Sequence, residues 1–178
     1  MKFVPYHLLD GRPSVILDGS PAPGTVLTVT HWPGYPPPAG VADDLSAQMA
    51  FRLLSRPDLV PAGAEAVSNN HFDQDGLVSI YALTQPEHAL AHRELLEDLA
   101  AAGDFGTFRH RDAARASMVI AAQEGTDEER YERMLGVLPD LLADVDRWRD
   151  VWAEEDAQLD GSLAALASRS GRTASIRS

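Results

Sequence analysis

Between Thr25 and Leu83 the sequence alternates between strand-like and helix-like hydrophobic periods, and this alternation limits the fold more than any other feature. Thr25–Trp32 (TVLTVTHW) is β-branched and apolar, centred on Val26, Leu27 and Val29, and reads as a strand ending at His31. Trp32-Pro-Gly-Tyr-Pro-Pro-Pro-Ala-Gly40 cannot be helix or central strand, because each proline fixes φ and lacks an N–H donor. It reads as a semi-rigid loop. Asp43 or Asp44 can then cap a helix running to about Ser55, with Leu45, Met49 and Leu53 on one stripe and Ala50, Phe51 and Leu54 widening it. Arg56-Pro57 ends that helix, and residues 65–70 form a second strand. Strand, helix and strand of these sizes make a βαβ unit, whose strands should be parallel. His31 and His71 would then leave the carboxyl ends of neighbouring strands.

The flanking segments complete the architecture. Lys2–Tyr6 and Ser14–Leu17, separated by the turn dipeptide Asp10-Gly11, read as a hairpin or as two edge strands. After the second strand, helices are expected over 77–84, from Gln85-Pro86 to Ala102 with Gly103 as C-cap, and from Asp112 to Glu124. Thr126-Asp-Glu-Glu129 is a capping box that opens another helix, which Pro139 should break or kink. A last helical piece from Pro139 to about Ala167 places Trp148 and Trp152 on one stripe, and 168–178 has no apolar period and reads as an unstructured tail. The class is α/β: a parallel or mixed sheet with βαβ units and a mainly helical C-terminal half, in a single domain over 1–167. A length of 178 residues suits one domain with a substantial core.

Composition narrows the function classes. The chain has no cysteine, so disulfides and thiolate chemistry are absent and metal ligation falls to His, Asp and Glu. A formal net charge of -12 opposes non-specific binding to nucleic acid or an anionic membrane. No apolar run approaches a membrane span, and the N-terminus does not resemble a signal peptide. The expected location is therefore cytoplasmic.

Chemistry concentrates in Ala66–Leu83, AVSNNHFDQDGLVSIYAL, in which a strand passes through a polar turn into a helix. His71-x-Asp73-x-Asp75-Gly76 offers an imidazole and two carboxylates on a turn where alternate side chains can converge. Carboxylates suit Mg²⁺ and Mn²⁺, and Mn²⁺ also accepts imidazole. The competing structural role is helix capping by Asp73 or Asp75, with Asn69, Asn70 and Gly76 shaping the turn.

HFDQDG, placed between strand and helix, resembles the first motif of the DHH phosphoesterase superfamily: His or Asp, any residue, Asp, any residue, Asp-Gly. Those enzymes use two Mn²⁺ or Mg²⁺ ions on a parallel α/β domain. The resemblance implies that His71, Asp73 and Asp75 are metal ligands and that the substrate is a phosphorylated small molecule or a short oligonucleotide. The chain has no Asp-His-His triplet, and no second strand reads as ending in an isolated Asp. The wider stretch, with SNNHFDQDGLVSIYAL and the earlier HWPG, also resembles an uncharacterised bacterial family of unknown function.

Other polar groups have ordinary roles beside functional ones. His31 can join the site as a ligand or proton-transfer group, or simply end its strand. Asp104 can supply a carboxylate or shape a turn, and the latter is favoured. His88 and His92 share a helix face but lack the Glu of a zinc-protease motif, which favours a polar rim. Arg109, His110 and Arg111 can bind phosphate or pair with surface acids. The functional expectation is a metal-dependent phosphoesterase-like hydrolase with His71, Asp73, Asp75 and His31 at its centre, holding Mn²⁺ or Mg²⁺. The alternative is a non-catalytic binding or assembly module of the same fold, with Trp148, Trp152 and the acidic helices as a partner or homo-oligomer surface.

Overall fold

A computed structural model describes residues 1–174, with side chains as far as Gly161. Four strands, β1 (Lys2–Phe3), β2 (Ser14–Leu17), β3 (Thr25–Val29) and β4 (Ala66–Ser68), form one sheet in the order β1-β4-β2-β3. Every neighbouring pair is parallel. The two inner strands, SVIL and AVS, are buried at every position, as an unbroken apolar run in a parallel sheet requires. β1 and β3 are the edge strands, and β3 leaves Val26 exposed.

This order corrects two expectations. The N-terminal strands form no hairpin, because β4 lies between them. Nor do the strands ending near His31 and His71 touch: β2 separates β3 from β4, so whatever follows Leu17 lies between the two histidines. Parallel neighbours usually need a connection of about a dozen residues or more, yet β2 and β3 are joined by 18–24 alone. The strands are short enough for this. Returning over four residues takes roughly 13 Å, well within the reach of the link. Its turn is held by the Ala22 N–H donating to Thr25 Oγ1 at 2.8 Å and by the Tyr6 hydroxyl donating to Ser20 O at 3.1 Å.

Seven α-helices are described: α1 (Ser46–Leu54), α2 (Gln74–Thr84), α3 (Pro86–Ala91), α4 (Arg93–Phe105), α5 (Arg111–Ala121), α6 (Asp127–Ala143) and α7 (Arg149–Ala174). The C-terminal half is mainly helical, as expected. α2 is buried at every position from Asp75 to Leu83 and is the central helix, packed against α1, α4 and β4. The helix expected from Gln85 to Ala102 is divided at His92, whose ring bonds the His88 carbonyl at 3.0 Å. α4 ends at Gly106, with φ +63, and not at Gly103. Gly103 serves packing instead, since a Cβ there would lie 2.7 Å from Gln74 Cβ.

Pro139 does not break α6, which runs through it. Proline leaves the carbonyl four residues back without its helical donor, and the Gln85 side chain supplies one, Nε2 donating to Leu135 O at 3.1 Å. The last helical piece therefore begins with a single 3-10 turn at Val145–Trp148 and continues as α7. The α7 backbone is helical into the stretch whose composition marks it as a tail, 168–178, and 175–178 lie outside the described residues.

Candidate metal centre

The carboxyl edge of the sheet gathers residues from three strand ends. Asp18 follows β2, His31 follows β3, and Asn69 to Asp75 carry the chain from β4 into α2. Ligands in open α/β sheets bind at this edge.

Asp18 has φ +51, a left-handed conformation that Asp tolerates better than most residues, and its side chain is buried. The next residue must be glycine. A Cβ at Gly19 would lie 2.2 Å from Asn70 Oδ1 and 2.6 Å from Asn69 Oδ1. The Ser20 N–H donates to Asn70 Oδ1 at 2.8 Å, so the turns after β2 and β4 are clasped together. Asn69 Nδ2 donates to the buried Tyr131 hydroxyl of α6 at 3.0 Å, which fixes the β4 turn from the other side. Gly76 leaves room for that pair, since a Cβ would meet Asn69 Nδ2 at 2.3 Å and the Tyr131 oxygen at 2.5 Å.

Two sets of donors converge here and share Asp18: Asp18, His71 and Asp73 in one, Asp18, His31 and Asp75 in the other. His71 Nε2 lies 2.8 Å from Asp73 Oδ2 and 3.3 Å from Asp18 Oδ2. Such separations suit an imidazolium between two carboxylates. They equally suit a common cation, because adjacent ligands at ~2.1 Å from an octahedral ion are ~3.0 Å apart. In the second set His31 Nδ1 is 3.4 Å from Asp75 Oδ2. Ser46 ties the sets together: its hydroxyl donates to Asp18 Oδ1 at 2.8 Å and accepts the His31 N–H at 3.2 Å. Trp32 lies against His71, ring centroids 5.2 Å apart, and forms a wall of the site.

Capping and convergence coexist. Asp73 caps its own helix, Oδ1 accepting the Gly76 N–H at 2.8 Å, while Oδ2 faces His71. Asp75 caps a different helix. Its oxygens accept the α1 N–H groups of Ser46 at 2.8 Å and Ala47 at 2.7 Å. The expectation that Asp43 or Asp44 caps α1 is therefore corrected: Asp43 pairs with Arg52 at 2.5 Å, and the buried Asp75 does the capping. Each carboxylate oxygen keeps a further lone pair for a cation.

The electrostatics favour a positive guest. Burial raises the Asp18 carboxyl to about 7, with Asp75 and Asp73 adding to the rise and the hydrogen bond to His71 opposing it. His71 is raised to about 10 by its hydrogen bonds to Asp18 and Asp73. His31 is raised by its interaction with Asp75. Burial works against Asp73 ionising, but bonds from His71 and the Gly76 N–H outweigh it and hold this carboxyl below its usual value. His71 Nδ1 is buried without a hydrogen-bond partner, and Asp18 Oδ2 and His31 Nδ1 have only long ion-pair contacts, to His71 Nε2 at 3.3 Å and to Asp75 Oδ2 at 3.4 Å. A buried carboxylate oxygen held only by so long a contact gains from a closer cationic partner.

Asp104, in the last turn of α4, is exposed as a residue, yet its carboxyl is partly desolvated. That desolvation, together with the charges of Asp75 and Asp73, raises it to about 6. The other polar groups have structural partners. His88 Nδ1 is 2.7 Å from the Tyr81 hydroxyl and its ring stacks on His92 at 4.2 Å. Buried Asp98 accepts the N–H groups of Arg109 at 2.8 Å and His110 at 2.7 Å, and Arg111 pairs with Asp156 and Asp160. Trp152 is in the core, its Nε1 donating to Val145 O at 2.9 Å, so it offers no partner surface.

Sequence reasoning missed Asp18, the residue common to both sets. The signal was present: Ser14-Val-Ile-Leu17 followed by Asp18-Gly19 is an apolar run ending in an isolated Asp. Treating that run as an edge strand hid it. Ser46 carried no signal of its own.

The fold and this edge define an α/β protein with a carboxylate and histidine cluster, suited to a divalent cation, at the carboxyl end of a parallel sheet. The chain belongs to the Family of unknown function (DUF6687), whose family model matches residues 1–177. No curated protein and no solved structure matches the chain. No described helix is long and apolar enough to cross a membrane.

Proposed function

We propose that the protein is a divalent-metal-dependent hydrolase of phosphate esters. The carrying observation is the pair of donor sets that share the buried carboxylate of Asp18 at the carboxyl edge of the sheet. Mixed imidazole and carboxylate donors suit Mn²⁺, with Mg²⁺ as the harder alternative. One cation would be held by Asp18, His71 and Asp73, and a second by Asp18, His31 and Asp75. The cation supplies charge neutralisation at the phosphoryl oxygens and lowers the pKa of water.

The test is Mn²⁺ titration calorimetry on the intact chain and on Asp73→Asn, with phosphoester hydrolysis followed in parallel. Asparagine keeps the helix cap but removes a charged ligand, so the variant should stay folded while Mn²⁺ affinity and turnover fall together. Intact protein that takes up no Mn²⁺ refutes the reading. Mn²⁺ uptake without turnover favours the non-catalytic alternative, in which the helix-capping bonds of Asp73 and Asp75 are the cluster's main role.

A further inference from the structure

The first turn of α1 contacts three of the five cation donors, Asp18, His31 and Asp75, although none of its residues is itself a donor. Leu45, at the N-cap, has no polar side-chain atom for the first N–H groups of the helix, and Asp75 accepts those of Ser46 and Ala47 instead. The Ser46 side chain is thus not used in capping its own helix. Its hydroxyl donates to Asp18 Oδ1 at 2.8 Å and accepts the His31 backbone N–H at 3.2 Å, and the whole residue is buried.

The direction of the Asp18 carboxylate depends on that hydroxyl. The backbone of Asp18 is fixed by the sheet, its N–H donating to Val29 O at 2.9 Å and its φ held at +51. Rotation about the Cβ–Cγ bond is a separate freedom. The Ser46 hydroxyl holds Oδ1, whereas Oδ2 has only the 3.3 Å contact with His71 Nε2, whose proton a cation would displace. Both donor sets use Asp18, so the same rotation sets its reach to both cation positions. Outer partners that orient a metal ligand in this way typically contribute roughly 10–100-fold to metal affinity.

Resting on the cation centre of the hydrolase reading, we propose that Ser46 is the positioning residue of the cation pair: its hydroxyl holds Oδ1 of the shared Asp18 so that Oδ2 serves both positions. Ser46 touches neither cation and acts through Asp18. Loss of the hydroxyl therefore weakens both cations together, whereas loss of the Asp73 charge removes a donor from one set only.

The test is a Mn²⁺ titration of the full chain followed by electron paramagnetic resonance, comparing the intact protein with Ser46→Ala and Asp73→Asn at a temperature where circular dichroism shows each to be folded. Ser46→Ala keeps the backbone N–H that Asp75 accepts and loses only the hydroxyl. Each of its two ions should bind roughly 10–100-fold more weakly, and the spin-coupled spectrum should appear only at correspondingly higher Mn²⁺. Asp73→Asn should weaken chiefly one ion. A serine with a merely structural role would lower the unfolding temperature and leave both affinities of the folded chain unchanged. That result overturns the inference, as does a Ser46→Ala chain in which one ion alone is weakened. Ser46→Cys, similar in shape but a weaker donor, is the second variant should the first not fold, and it too should weaken both ions; affinities equal to those of the intact chain overturn the inference there. A Mn²⁺ pair that depends on Ser46 but hydrolyses no phosphoester supports it and overturns the hydrolase reading. An intact chain that binds no Mn²⁺ overturns both.

Discussion

Metal binding at this cluster should be visible as proton release, because the donors hold protons that a cation must displace. His71, at about 10, is fully protonated at neutral pH, and Asp18, at about 7, is close to half protonated. Both belong to one cluster of interacting groups, so the total is the meaningful quantity. A cation taking both as ligands should release roughly two protons at pH 6, about 1.5 at pH 7 and about one at pH 8. Integrated over that interval, the apparent dissociation constant should fall roughly a thousandfold from pH 6 to pH 8, since each displaced proton contributes about tenfold per pH unit. Displacing the His71 proton alone costs roughly 4 kcal/mol at pH 7, being about three units at ~1.4 kcal/mol each. Titration calorimetry in buffers of different ionisation enthalpy gives the proton count directly. A count near zero, with affinity independent of pH, would refute the assignment of His71 and Asp18 as ligands even if Mn²⁺ bound.

Three further outcomes are expected from stability measurements on the metal-free chain. Gly76→Ala should destabilise by roughly 1–3 kcal/mol through overpacking, because its Cβ would press on the Asn69 and Tyr131 pair, whereas Gly136→Ala in α6, with nothing within 4 Å, should stabilise by up to about 1 kcal/mol. Chemical denaturation of both variants decides this, and two equal effects would contradict the packing argument. Asp75→Ala should cost roughly 2–5 kcal/mol by leaving the Ser46 and Ala47 N–H groups buried without an acceptor, against no more than about 1 kcal/mol for Asp73→Asn. Finally, the raised pKa of His71 means that its imidazolium stabilises the fold fully below pH 6.5, and that this contribution is lost as pH rises to about 10. His71→Gln should flatten the fall in stability over that window, and an unchanged alkaline limb would show that the ion pairs contribute nothing.

The legible parts of the fold were those in which local period and punctuation agree. β3, α1, β4 and α2 follow from β-branched runs, apolar stripes and prolines, and the capping box Thr126 to Glu129 opens α6 as written. What stayed hidden depended on partners distant in sequence. Pro139 is tolerated because Gln85 supplies a donor to Leu135 O, and α1 is capped by Asp75 from another helix. In the candidate cluster, His71, Asp73 and Asp75 were legible from local spacing, although the structure divides them between two donor sets, and His31 was legible from its place at a strand end. Asp18 was not, because its importance comes from β2 lying between β3 and β4, an arrangement that no local pattern encodes.

The central claim, that Asp18 is shared between two cation positions, is tested most directly by electron paramagnetic resonance of the full chain titrated with Mn²⁺. Two ions per chain with spin-coupled spectra, collapsing to weak uncoupled binding in Asp18→Asn, are expected. A titration that leaves all Mn²⁺ free, or a coupled pair that survives Asp18→Asn, would contradict it.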